Sequence, residues 1–94
     1  MPAFVYILAS GRHGTLYVGA TGDLARRLDQ HRSGAVPGFT RDHRVTRLVH
    51  YELYDNVLEA RARERTLKGW RRDWKISLIE QANPEWSDLT TTLI

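Results

Sequence analysis

The sequence predicts an α+β domain: a small three-stranded, mainly antiparallel sheet flanked by helices, in the order β-β-α-β-α-α. Three observations carry this. Residues 4–9, Phe-Val-Tyr-Ile-Leu-Ala, form one continuous apolar run rich in strand formers, the pattern of a strand buried on both faces. Residues 47–54 alternate Leu48, His50, Glu52 and Tyr54 against Val49, Tyr51 and Leu53, the period-2 pattern of a further strand. Residues 56–68 set Val57, Ala60, Glu64 and Leu67 on one face, at the period of a helix.

The remaining elements follow in chain order. Ser10-Gly11-Arg12-His13-Gly14 supplies a turn, and residues 15–19 read as the returning strand of a hairpin. Thr21 or Asp23 caps a helix running to about Arg32, with Gly34 beyond it as a stop. In that helix Leu24 and Leu28 face the core, and Arg27 and His31, spaced i, i+4, lie at the edge of the leucine stripe. Residues 33–44 contain Gly34, Pro37 and Gly38 and read as a long, basic loop. Asn56, with Glu59 three residues on, opens the Glu64 helix, and Gly69 ends it. Trp70, Trp74 and Leu78 recur at helical spacing, so they define a last helix with its tryptophans in the core, stopping before Pro84. From about residue 85 the tail is acidic and Thr-rich, and local rules leave open whether it packs back or frays.

The 94 residues suffice for one domain, spanning 1–94, with one modest core. There is no cysteine, hence no disulfide framework and no Cys-based zinc site, and a reducing cytoplasm suits the chain. No apolar run reaches membrane-spanning length, and Met1-Pro2-Ala3-Phe4 does not open a signal peptide, so a cytoplasmic location without membrane contact is expected. The net charge of +3 hides an asymmetry: residues 61–75 carry seven basic and two acidic side chains, whereas residues 80–94 carry no Lys or Arg. Arg32, Arg41, Arg44 and Arg47 form a second basic cluster around the middle loop. Such asymmetry is the footprint of a polyanionic partner, of which nucleic acid is the commonest.

Among candidate chemistries, no G-x-S-x-G elbow, Walker loop or dinucleotide fingerprint occurs, and His13, His31, His43 and His50 lack zinc-binding spacing. The anomaly is Glu64, a carboxylate within an apolar helical stripe, which is costly there unless paired, protonated or bound to a metal. From the residues alone two readings stay open: an ion pair with an arginine from another element, or a metal ligand.

The chain resembles the GIY-YIG endonuclease superfamily, and within it the small single-domain bacterial members. The resemblance is carried by Phe4-Val5-Tyr6, Tyr17-Val18-Gly19, Leu24-Ala25-Arg26-Arg27-Leu28 with His31, and the later run from Glu59 through Glu64 to Leu67-Lys68-Gly69-Trp70. It implies a metal-dependent endonuclease hydrolysing DNA phosphodiester bonds, with a place in DNA repair or recombination. Glu64 would match the family's carboxylate ligand for one divalent metal, Mg²⁺ or Mn²⁺, otherwise held by water and phosphate oxygens. Tyr17 would match the tyrosine that activates the attacking water and Tyr6 its supporting partner. A phenol titrates near ~10, so a base role needs a nearby cation or metal-linked water. Arg27 would stabilise charge on the scissile phosphate, and His31 would hydrogen-bond the tyrosine or assist proton transfer. Gly19 would permit close backbone approach to the substrate. Arg61 and Lys68 flank Glu64 and suit incoming phosphates, and Arg41 and His43 would clamp the other side. Asn83 resembles a late asparagine of the family with a supporting role. The chain departs from the pattern in Phe-Val-Tyr for Gly-Ile-Tyr, and in Ala20 where some branches place a lysine.

Homing and excision-repair members of that superfamily add separate DNA-binding domains, for which these 94 residues have no room. Affinity would then rest on phosphate contacts, giving structure- or strand-preferring cleavage rather than a restriction-like site. Two other readings of the same features are a catalytically weak nucleic-acid-binding module of the same fold, and a protein-interaction domain using the acidic tail. The oligomeric state is not encoded in any of these patterns.

Overall fold

A strand apolar at every position fits only where both faces of a sheet are covered. In the computed structural model, which describes residues 1–35, 38 and 43–93, Ala3–Ala9 takes that place as β1. It is the central strand of a three-stranded sheet, between β2 (Leu16–Thr21) and β3 (Arg47–Tyr54), both antiparallel to it. The alternation of β1 then builds two cores. Val5, Ile7 and Ala9 meet Ala60 and Leu67, Ile79 and Trp86 on one face, whereas Tyr6 and Leu8 meet Leu24, Leu28, Val45 and Leu48 on the other.

Helix α1 (Leu24–Ser33) covers the Tyr6 face. Its Asp23 cap accepts from the Arg26 N–H at 3.1 Å, and Gly34 ends it in the left-handed region at φ 75°. Helices α2 (Val57–Gly69) and α3 (Arg72–Ala82) cover the opposite face, with Asn56 Oδ1 accepting from the Glu59 N–H at 2.9 Å to start α2. The expected element order is therefore the observed one. No helix among the described residues is long and apolar enough to cross a membrane.

Three local expectations are corrected. The last helix begins at Arg72, not at Trp70, because Trp70 and Arg71 adopt extended backbone (ψ 149° and 154°). Its tryptophans do not share a core face: Trp70 is half-buried and Trp74 is 50% exposed. Guanidinium groups cover them instead, Arg63 lying 5.1 Å from the Trp70 ring and Arg71 5.3 Å from the Trp74 ring. The α2 stripe is likewise incomplete, since Ala60 and Leu67 are buried but Val57 is 41% exposed and Glu64 stands at the rim.

The tryptophan that does fill the core is Trp86, fully buried although it lies in the tail and holds φ at 58°. Its indole N–H donates to Glu80 at 2.7 Å. Asn83, also buried, holds the turn behind it: its amide donates to Val49 O and Ser87 O, and its Oδ1 accepts from the Ser87 N–H. Arg32 binds Asp88, Thr90 and Thr46 O, tying α1 to the tail, which ends in a 3₁₀ turn (Leu89–Leu93). The tail packs back. Trp86→Ala should cost about 3–5 kcal/mol in urea denaturation, and Trp74→Ala no more than about 1 kcal/mol. Equal losses would contradict this assignment of the core.

Candidate active site

Tyr6 points from β1 into the α1 core, where a phenol needs a partner for its hydroxyl. Its cross-strand neighbour on β2 is Gly19. A Cβ at Gly19 would lie 2.5 Å from both Cζ and the hydroxyl oxygen of Tyr6, so the missing side chain is what lets the ring lie across the edge strand. The backbone there is not left-handed; the glycine serves space, not torsion. The buried Tyr6 hydroxyl meets Nε2 of His31 at 3.2 Å. Tyr17, two residues before Gly19 on the same face, has its ring 6.3 Å from that of Tyr6 and 5.4 Å from that of His31.

His31 was expected at the edge of the leucine stripe, but it is buried beside Leu24 and Leu28 as the stripe's third member. The Tyr6 hydroxyl makes that burial tolerable. Burial and the charge of Arg27 hold the His31 pKa below its ordinary 6.5, so the ring is neutral at neutral pH. Burial pushes the Tyr6 phenol up, against the lowering pull of Arg27, so Tyr6 stays protonated. Arg27 stands one turn before His31, with its charge reinforced chiefly by the Tyr6 hydroxyl and its Nη1 donating to Gln30 Oε1 at 3.2 Å.

The other half of the site comes from α2, and the residue that anchors this helix was not singled out from the sequence. Glu52 of β3 accepts Arg63 Nε at 2.9 Å and Nη2 at 3.2 Å, the Tyr54 hydroxyl at 2.7 Å, and meets His50 Nε2 at 2.8 Å. Burial alone would raise its pKa, but these bonds outweigh it and hold the carboxyl at about 2. A signal for this cluster did exist: His50, Glu52 and Tyr54 share one strand face where apolar residues would be expected. With Arg63 clamped to the sheet, its neighbour Glu64 is fixed in orientation. The Glu64 carboxylate is 22% exposed and pairs with Lys68 Nζ at 2.9 Å, on its own helix rather than with an arginine from elsewhere.

Although α1 and α2 lie on opposite faces, both reach past the outer edge of β2. Gly19 and Ala20 are too small to separate them there, and a cleft of about 450 Å³ opens. Tyr6, Tyr17, Gly19, Arg27, Arg61, Glu64 and Lys68 all line it, with Arg65, which lies i+4 from Arg61 and had no site role assigned from the sequence. His31 stands behind Tyr6. His43 is exposed in the segment before β3 and is not among the residues lining the cleft; Arg41 lies outside the described residues. Of the other basic groups, Arg47 donates to Trp86 O and Arg72 to His13 O and Gly14 O, so both tie the fold together, whereas Arg71 pairs with Asp73 at the surface. Among the described residues no three His, Cys, Asp or Glu side chains gather as a metal cage. Among the described residues lining the cleft, Glu64 is the one acidic donor.

Comparison with known proteins adds to this geometry. Residues 2–77 match the family model of the GIY-YIG catalytic domain. The chain is 39% identical over 83 residues to a UPF0213 protein of Syntrophus aciditrophicus, covering 87% of this chain and 93% of that one. It is 34% identical over 85 residues to a UPF0213 protein of Streptococcus agalactiae, covering 90% and 96%. A solution NMR structure of the UPF0213 protein from Bacillus halodurans superposes with a TM-score of 0.58 at 31% identity, covering 97% of this chain and 96% of that one.

Two stability measurements test the packing. Alanine usually stabilises a strand relative to glycine, but Gly19→Ala should destabilise by about 1–3 kcal/mol through the clash with Tyr6. Gly22→Ala, with nothing within 4 Å of the added carbon, should be near neutral. Glu52, with its pKa held at about 2 against an ordinary 4.5, contributes stability that is full above the higher value and lost as pH falls through the lower. Between about pH 5 and about pH 3 the wild type should lose about 2 kcal/mol more than Glu52→Gln. Parallel pH profiles would contradict the assigned pairing.

Proposed function

The chain belongs to the GIY-YIG family of nuclease domains and, within it, to the UPF0213 proteins; on that premise we propose that it is a divalent-metal-dependent endonuclease hydrolysing DNA phosphodiester bonds with low sequence specificity. The observation that supports this best is the convergence of Tyr6, Tyr17, Arg27 and Glu64 in one cleft ringed by Arg61, Arg65 and Lys68. A structural surface has no need to gather two tyrosines, a carboxylate and four cations around an edge strand.

The donor chemistry fits a hard cation. Glu64 offers a single carboxylate at the rim of an open cleft, which leaves the other positions to water and phosphate oxygens, as Mg²⁺ prefers. Such an ion, when bound, supplies neutralisation of the charge that builds on the phosphate oxygens. Lys68 can turn from Glu64 to a phosphate, because its own side chain is exposed at the rim of the cleft. Arg27, oriented by Gln30, donates to a non-bridging oxygen of the scissile phosphate. Tyr17 faces the cleft and orients the attacking water through its hydroxyl; the water's proton passes to solvent as the new P–O bond forms and the ester bond breaks, and solvent protonates the leaving oxygen. Tyr6, kept protonated by burial, and neutral His31 brace Tyr17 from behind. Cations directed at phosphates hold a strand without reading its sequence.

One observation favours the second reading, a binding module with negligible turnover: Lys68 occupies the carboxylate that the chemistry requires. Nicking of supercoiled plasmid with Mg²⁺ or Mn²⁺ separates the two. The wild type should nick, and Glu64→Ala should lose at least about a hundredfold in rate while still binding DNA. Binding by both proteins with nicking by neither would favour the module, and equal nicking by both would remove Glu64 from the chemistry.

A further inference from the structure

The cleft does not end at the catalytic groups. A second hollow of about 510 Å³ opens beside it along the end of β2, with Arg27 and Arg61 lining both. Its floor is Thr21 and Gly22, and its walls bring Arg26 from α1 and Val57 from α2 beside Arg61. Three guanidinium groups thus gather around one hollow against the single carboxylate of Asp23, whose Oδ1 is engaged as the α1 cap. Arg26 lies outside the catalytic cleft, so hydrolysis at Glu64 gives no reason for it to be there.

We propose that Arg26 and Arg61, above Thr21 and Gly22, form a phosphate subsite for the nucleotide next to the scissile bond, so that the strand runs along β2 between α1 and α2. This rests on the reading of the neighbouring cleft as a nuclease site. The subsite suits a flexible strand: the hollow is open, Arg26 and Arg61 are exposed, and Val57 offers an apolar spot for a sugar. Its consequence is a mode of action. The enzyme needs a phosphate on the Thr21–Gly22 side of the bond it breaks, so it cleaves within a strand and not at the terminus on that side.

The test compares Arg26→Ala, Arg26→Lys and Arg12→Ala in cleavage of a single-stranded oligonucleotide carrying one neutral methylphosphonate linkage, walked along the strand. Arg12 is exposed in the hairpin turn at the far end of β2 and serves as the charge control. Arg26→Ala should raise KM roughly fivefold, keep kcat within about twofold, and reduce the salt slope of binding by about 0.7. Arg26→Lys should restore most of the loss. One methylphosphonate beside the cleaved bond should weaken the wild type by a similar factor and leave Arg26→Ala unaffected. Kinetics for Arg26→Ala indistinguishable from those of Arg12→Ala, in a wild type whose cleavage depends on Glu64, would overturn the subsite alone. A wild type that cleaves nothing would bring down the nuclease reading and the subsite with it.

Discussion

The site depends first on a phenol ring packed across a glycine. β1 is central and covered on both faces, so the side chain at position 6 has to be buried, and this chain places a tyrosine there. Its ring fits only because β2 presents Gly19 opposite it, and its hydroxyl is tolerable because His31 meets it at 3.2 Å and Arg27 interacts with it. That contact brings His31 to the inner face of α1, and helical geometry then carries Arg27, one turn earlier, to the mouth of the cleft. One packing contact therefore orders three of the groups around which the chemistry is proposed.

A half-buried ion network does the same for the opposite wall. Arg63 grips Glu52 with two nitrogens and covers Trp70 with its guanidinium plane, which pins α2 to the sheet. Glu64 follows it in sequence and is turned toward the β2 edge. The adjacent residues thus divide the work, one holding the helix and the next facing the cleft. Loss of Glu52 would act on Glu64 indirectly, through the placement of α2.

The same division applies to the basic charge. Arg32, Arg47, Arg63 and Arg72 are engaged with carboxylates or backbone carbonyls of other elements and hold those elements together. Arg26, Arg27, Arg61, Arg65 and Lys68 line the trough beside β2. Net charge does not separate these sets, and neither does clustering along the chain, because Arg26 comes from outside the densest basic stretch. What separates them is whether the carboxylate or carbonyl they meet belongs to another element: Arg27 and Lys68 pair with Gln30 and Glu64 of their own helices.

The sequence by itself determined the element order, the two-sided burial of β1, the caps at Asp23, Gly34 and Asn56, and, through resemblance, the family. Those features are written in short-range rules of period, propensity and turn chemistry, or in motifs that stay close together along the chain. Tertiary structure alone decided that Trp86 is core while Trp74 is half exposed, since local spacing favoured the opposite and burial depends on what arrives from elsewhere. It alone brought Glu52 to Arg63 and Arg26 to Arg61, pairs separated by 11 and 35 residues. And it alone opened the cleft at the edge strand, because a cleft is made where two helices on opposite faces fail to touch, and no local pattern records a contact that is missing.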